Sequence, residues 1–344
     1  MDTIMRLLML IPLALMGGHA MAEPPAPTSQ AAIQAPKAQT SPMMSLSPAG
    51  NSLVAVGSRG QILFKTSGNE GWQQAKAPVS TLLTRVFMLN DQLGWAVGHD
   101  AAILHTVDGG QSWSLQQWRP DLEVPLLDIH FQNEREGVTV GAYGQLFRTR
   151  DGGKSWQFEY LDSLLIEDDR LYLEEIRADS EEDYLAERAA MLPHINRILP
   201  LPGGDLFAVG EMGLMARSSD YGRTWQRLPE IYFGSLSDMA MDADGRWVAV
   251  GLRGNAFESR DQGENWTPLD MGTKGTFNSI RRLSDGTLVM VANGGDLAYR
   301  KPGESDFTLV RVAKGQDLVD LVENGEGNLW LAGSHGVQPF TIEK

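Results

Sequence analysis

From about residue 43 onward the chain is a succession of short apolar runs broken by turns rich in Gly, Asp and Asn. Arg246-Trp247-Val248-Ala249-Val250 and Asn255-Ala256-Phe257-Glu258-Ser259 are representative. Runs this short, closed this often by turn residues, predict β-strands and leave no room for helices.

The runs recur in a fixed frame. Val56-Gly57-Ser58-Arg59-Gly60, Val97-Gly98-His99-Asp100-Ala101, Val140-Gly141-Ala142-Tyr143-Gly144, Val209-Gly210-Glu211-Met212-Gly213 and Val250-Gly251-Leu252-Arg253-Gly254 align, and Ala292-Asn293-Gly294-Gly295 and Gly333-Ser334-His335-Gly336 continue them. The leading positions are 41 residues apart (57 to 98), then 43, 69, 41, 41 and 41. An aromatic follows each leading position by 15 residues: Trp72, Trp113, Trp156, Trp225, Trp266 and Phe307, with Lys344 reached before the seventh. Four strands in about 41 residues is the signature of a propeller blade. The expected fold is therefore all-β, a seven-bladed β-propeller of four-stranded antiparallel blades over residues 42–344, with one insertion between blades three and four. The seventh unit is a strand short, and the segment before Pro42 is expected to close the ring; loss of thermal stability on deleting residues 23–41 would show it.

Four turns carry a second motif. Thr106-Val107-Asp108-Gly109-Gly110-Gln111-Ser112-Trp113 has the form S/T-x-D-x-G-x-S/T-W, with Asp151 and Trp156, Asp220 and Trp225, and Asp261 and Trp266 at the matching positions of three later units. An Asp side chain accepts from backbone N–H groups further along its own turn, Gly supplies a positive φ, and the Trp covers the hairpin. Ser67 and Pro302 stand where the first and sixth units would have the Asp.

With these Asp boxes and the A-V-G-x-x-G rhythm, most faithful at residues 96–113 and 140–156, the chain resembles the photosystem II stability/assembly factor-like family of Asp-box (BNR) repeat propellers. The resemblance implies an exported, non-catalytic propeller that binds membrane-protein assembly intermediates. It does not fix the partner, and the expected source is a non-photosynthetic bacterium.

The repeat frame also locates a candidate binding face. Thirteen residues before each leading position lie Met44, Arg85, Asp128, Arg197, Asp238, Ser279 and Asp320, at the start of each innermost strand. Alternation turns these toward the central channel and sends Ser45, Val86, Ile129, Ile198, Met239, Ile280 and Leu321 into the blades. The pairs inside G-x-x-G form turns on the same face. The candidate surface is Arg59, Arg85, His99, Asp128, Tyr143, Arg197, Asp238, Arg253, Asp320 and His335. Recognition of acidic groups by the arginines and mutual pairing across a wet channel account equally well for the charged positions.

One stretch breaks the β pattern, within an insertion at about 160–190. From Asp162 to Glu187 it holds eleven acidic residues and two basic ones, and Leu164, Leu165, Tyr172, Leu173 and Ile176 mark a partial helical stripe. A solvated acidic flap and a helical cap over the channel mouth both fit.

Composition narrows the remaining classes. The 344 residues carry a formal net charge of −15 and no Cys. Thiolate chemistry, disulfides and Cys-ligated metals are thereby excluded, and the charge argues against nucleic acid as a partner. His99, His130, His194 and His335 lack ligand spacing, so no metal is expected, and no phosphate loop implies a cofactor. A sialidase-like or glycan-binding propeller is the alternative function, with Arg85, Arg197 and Arg253 as a carboxylate clamp; it lacks a partnered catalytic Tyr. Arg6, the apolar run Leu7–Met16 and Ala20-Met21-Ala22 read as a signal peptide over residues 1–22, followed by an extended Pro- and Ala-rich lead-in at 23–41. The expectation is a periplasmic, monomeric protein, not inserted in the membrane after cleavage, serving as an assembly or stability factor for a membrane protein or envelope complex.

Overall fold

The computed structural model describes residues 28–69, 71–312 and 314–342; the expected signal peptide at 1–22 and the first residues of the expected lead-in lie outside them. Seven antiparallel sheets follow one another along the chain, six of four strands and the last of three. Their innermost strands are Met43–Ala49, Leu83–Met88, Leu126–Phe131, Ile195–Pro200, Leu236–Met241, Phe277–Arg282 and Leu318–Glu323. Each packs against the next, and Leu318–Glu323 packs against Met43–Ala49, so the ring closes between blades seven and one.

The core is distributed rather than central. Seven clusters of buried side chains occupy the seven junctions between neighbouring blades. Trp95 of blade two, for instance, stacks on Phe131 of blade three with ring centroids 3.4 Å apart. This explains why the second strands of blades two to six, such as Leu206–Gly210 or Trp247–Gly251, are buried along their whole length: a strand sandwiched between two blades has no solvent face, and it reads as an apolar run rather than an alternation.

The G-x-x-G turns are two-residue hairpins. Gln61 N–H donates to Ser58 O at 3.1 Å, and Arg59 and Gly60 both have positive φ, 58° and 67°, as a type I′ turn requires. The two glycines answer different needs. A Cβ on Gly57 would lie 2.3 Å from Pro42 O, where the chain enters the innermost strand, and one on Gly60 would lie 1.9 Å from Val79 O, in the link to blade two. Both contacts place the hairpin turns on the face where successive blades are linked, called the top below.

The Asp boxes lie on the opposite face, because Gly109 and Gly152 donate to Gln92 O and Arg135 O in the turns joining first and second strands. In the second blade Asp108 Oδ1 accepts from Ser112 N at 2.9 Å and Oδ2 from Ser112 Oγ at 2.6 Å, while Trp113 Nε1 donates to Gly110 O at 3.0 Å. Asp151, Asp220 and Asp261 repeat the carboxylate contacts, and Trp225 and Trp266 repeat the indole bond. Trp156 turns instead to Gln116 of the preceding blade.

Two expectations change. No fourth strand joins blade seven among the described residues. The lead-in delivers Gln39 O beside Gly336, where a Cβ would lie 1.9 Å away, the same relation that Val79 O has to Gly60. Upstream, however, it crosses to blade one: Ala32 N donates to Ala77 O at 3.0 Å and Gln34 Nε2 to Ala75 O at 3.0 Å. It reproduces the inter-blade link without the closing strand. The insertion also differs from a cap over the channel. It forms two helices, α1 (Glu167–Asp179) and α2 (Glu181–Arg188), and its contacts with the propeller run along outer strands: Arg227 donates to Leu164 O at 3.0 Å, and Trp225 N to Ser163 Oγ at 3.3 Å.

Candidate functional site

The sequence-selected residues separate into two groups. Asp128, Arg197, Asp238 and Asp320 are buried, with Arg85 nearly so, in a ring around the channel. Each aspartate occupies the same place in its blade and spans a junction. Asp128 accepts from Ile129 N at 3.0 Å and from Ile198 N of the next blade at 2.9 Å. Asp238 accepts from Met239 N and Ile280 N, and Asp320 from Leu321 N and Leu46 N. Guanidinium groups fill the remaining lone pairs. Arg85 reaches Asp128 at 3.1 Å and Asp320 at 3.0 Å, Arg197 reaches Asp238 at 3.0 Å, and Arg281 reaches Asp238 at 2.6 Å and Asp320 at 3.1 Å.

Blades three, five and seven thus supply carboxylates, and blades two, four and six supply guanidinium groups. Strict alternation of sign cannot close in a ring of seven, and blade one contributes the neutral Ser45. Its Oγ donates to Asp320 at 3.1 Å and accepts from Val86 N at 3.3 Å. The repeat frame had assigned Met44 to this position. The turn at Gly50-Asn51 is one residue shorter than its counterparts, so Ser45 pairs with Val56 as Arg85 pairs with Val97. Arg281 escaped the frame because it lies two residues beyond Ser279, on the same side of the strand.

The electrostatics fit a closed structure. Burial alone would raise the Asp238 carboxyl, but Arg197, Arg281 and Arg85 override it and hold it well below the ordinary range. Asp320 is lowered against burial by Arg281, Arg85 and Arg197. Burial, with Arg197 nearby, brings Arg85 down to about 10, still protonated at neutral pH. Burial opposes the charge of Arg197 too, but Asp238, Asp128 and Asp320 outweigh it and raise that group. Arg85 and Arg197 are therefore committed to internal carboxylates rather than presented to a partner, which corrects the expected placement of these two.

Arg59, His99, Tyr143, Arg253 and His335 form the second group, exposed on the top turns. Arg59, Tyr143 and Arg253, with Met212 of blade four, sit at φ values of 52–58°. The left-handed conformation costs a bulky residue on the order of 1 kcal/mol or more, and it favours Gly or Asn, as Gly294 shows in blade six. In four blades the turn carries a long side chain despite this cost. Around them lie exposed apolar residues that charge-based reasoning missed: Phe233 is 80% exposed, Met212 53% and Leu252 39%. Among the described residues Arg59 and Arg253 make no ion pair, and with these exposed apolar side chains they make up the crown of the top face. The clamp of Arg85, Arg197 and Arg253 is not assembled, since the first two belong to the ring and the third to the crown. Among the described residues no group of three His, Asp or Glu side chains is placed to hold a metal ion, and no helix is long and apolar enough to cross a membrane.

A seven-bladed Asp-box propeller is the class these features define. The family described as Photosynthesis system II assembly factor YCF48 matches residues 115–198 and 201–341. The photosystem II assembly protein Ycf48 of Thermosynechococcus vestitus is 30% identical over 273 residues, covering 77% of this chain and 70% of its own; the photosystem II assembly lipoprotein Ycf48 of Nostoc is 26% identical, covering 77% and 72%. The chain belongs to this family of assembly factors. Among solved structures, YCF48 bound to D1 peptide superposes with a TM-score of 0.67 at 20% identity, over 91% of this chain and 97% of the other. YCF48 from Cyanidioschyzon merolae gives 0.66 at 16% identity, over 89% and 96%. These likenesses show the shared fold.

Proposed function

We propose that this protein is an exported, non-catalytic assembly factor of a non-photosynthetic bacterium, working in the periplasm, whose crown captures an extended segment of an envelope membrane protein during its assembly. The observation that carries this reading is the crown itself: arginines that make no ion pair among the described residues and exposed apolar side chains, four of the projecting residues held in a costly backbone conformation on a rigid ring. A Ycf48 structure with a bound D1 peptide supports it by family relationship. In this account Arg59 and Arg253 meet acidic groups of the segment, Met212, Phe233 and Leu252 cover its apolar side chains, and the buried ring keeps the blades in register.

The test is affinity capture from detergent-solubilised envelopes with the wild-type protein and the double variant Arg59→Glu/Arg253→Glu. A membrane protein recovered by the first and lost by the second, at unchanged Tm, is the expected result. Equal recovery by both removes the crown from the account, and retention on glycan columns with no membrane-protein partner would favour the carbohydrate-binding alternative.

A further inference from the structure

Beside α2, the outer wall of blade three encloses a groove of about 280 Å³. That is just under the range of about 300–1,000 Å³ typical of small-molecule sites, enough for one or two side chains. Leu122, Phe147, Phe158 and Leu185 make its apolar walls, and Tyr143 of the crown forms part of its lining. Two polar atoms of the lining residues are shielded from solvent and have no hydrogen-bond partner, Gln145 Oε1 and Tyr160 Oη. An unmade hydrogen bond on a buried group costs about 1–3 kcal/mol, so both side chains gain by turning out toward an occupant that offers them partners.

The charges define the occupant further. Arg188 stacks its guanidinium on the Tyr160 ring at 4.6 Å and makes no ion pair among the described residues, whereas Arg119 is held by Asp121. No carboxylate lines the groove. Burial and the nearby Asp162 push the Tyr160 phenol up to about 12, despite Arg188, so it is a donor at neutral pH. Arg188 presents N–H groups to an anion next to an aromatic wall, with the Tyr160 O–H close behind it.

We infer that this groove is a second subsite for the captured segment, taking an aromatic or leucine side chain whose neighbouring residue is Asp or Glu. The apolar side chain enters between Phe147, Phe158 and Leu185, the carboxylate accepts from Arg188, and Tyr160 and Gln145 turn outward so that Tyr160 Oη donates to the carboxylate and Gln145 Oε1 accepts from a peptide N–H. Because Tyr143 belongs to both surfaces, a segment lying on the crown continues into the groove, which favours a side-chain carboxylate within an extended segment over a chain terminus. The inference rests on the reading of the crown as a peptide-capture face.

Selection of a random dodecapeptide phage library on the immobilised protein tests it, with Leu185→Glu and Arg188→Gln as groove variants and Arg59→Glu/Arg253→Glu as the crown variant. Leu185 is about half exposed, so its substitution spares the core. Enrichment of acidic–apolar neighbours by the wild type, with synthetic selected peptides binding each groove variant at least tenfold more weakly, is expected. Peptides weakened only by the crown variant overturn the groove and leave the crown standing. Peptides that bind solely through a free C-terminus, or no enriched sequence at all, also overturn it.

Discussion

The axial ring and the top crown both draw arginines from the repeated strands and turns of the blades, yet they use them in opposite ways. In the ring three guanidinium groups face three carboxylates, and the aspartates also staple backbone N–H groups of adjacent blades. In the crown Arg59 and Arg253 have no carboxylate within ion-pairing distance among the described residues and stand in solvent. The difference is that the ring spends its charge on itself, and the crown leaves it available. A charged residue in a repeat frame is therefore not evidence of binding until its partners are known.

The largest effect that separates the two regions is loss of a ring aspartate. Asp238→Ala removes partners of Arg197 and Arg281 together with the staple to Ile280, and breaking a buried pair costs about 3–5 kcal/mol. Calorimetry should record a Tm lower by on the order of 10 °C; an unchanged Tm would show that the ring does not hold the blades. Acid should find the same weakness. The folded pKa values of Asp238 and Asp320 lie below the unfolded value near ~3.9, and hydrogen bonds within their Asp boxes bring Asp151 down to about 2 and Asp220, against burial, to about 2. These carboxylates contribute stability that is complete above about pH 4 and is lost as pH falls toward 2. Chemical denaturation at successive pH values should show the decline there, and a flat profile between pH 4 and 2 would contradict it.

Smaller effects sharpen the comparison. Asp220→Ala in an Asp box should cost about 1 kcal/mol, the scale of a net hydrogen-bond loss, with partner capture untouched. At the crown the sign reverses. Met212→Gly relieves a positive φ and should leave stability unchanged or raise it by up to about 1 kcal/mol, while capture of the partner weakens; a loss of stability would show that Met212 has a packing role there.

Much of this was legible because a repeat multiplies weak signals. One Asp turn says little, but four in register with seven turns in one frame, five of them G-x-x-G, define blades, faces and the ring position together. The frame failed where a single blade departs from it. A turn shorter by one residue moved the ring position from Met44 to Ser45, and Arg281 lies two residues off the frame. The partition of Arg85 and Arg197 from Arg59 and Arg253 was not legible, because it depends on carboxylates brought across blade junctions from Asp128, Asp238 and Asp320. The helical nature of the insertion showed in its stripe only in part: Leu173 on α1 and Leu164 in the turn before it are buried, while Tyr172 of the same stripe is exposed. Its placement did not show, since Arg227 and Trp225 anchor it from more than 60 residues away.

The central claim is that the top face, and not the Asp-box face, meets the partner. A photo-crosslinking amino acid placed in cells at Tyr143 or Arg253 on the crown, and at the exposed Lys154 in the Asp box of blade three, tests it directly. The account predicts crosslinks to an envelope membrane protein from Tyr143 and Arg253 and none from Lys154. The same partner crosslinked from Lys154 and not from the crown would contradict it.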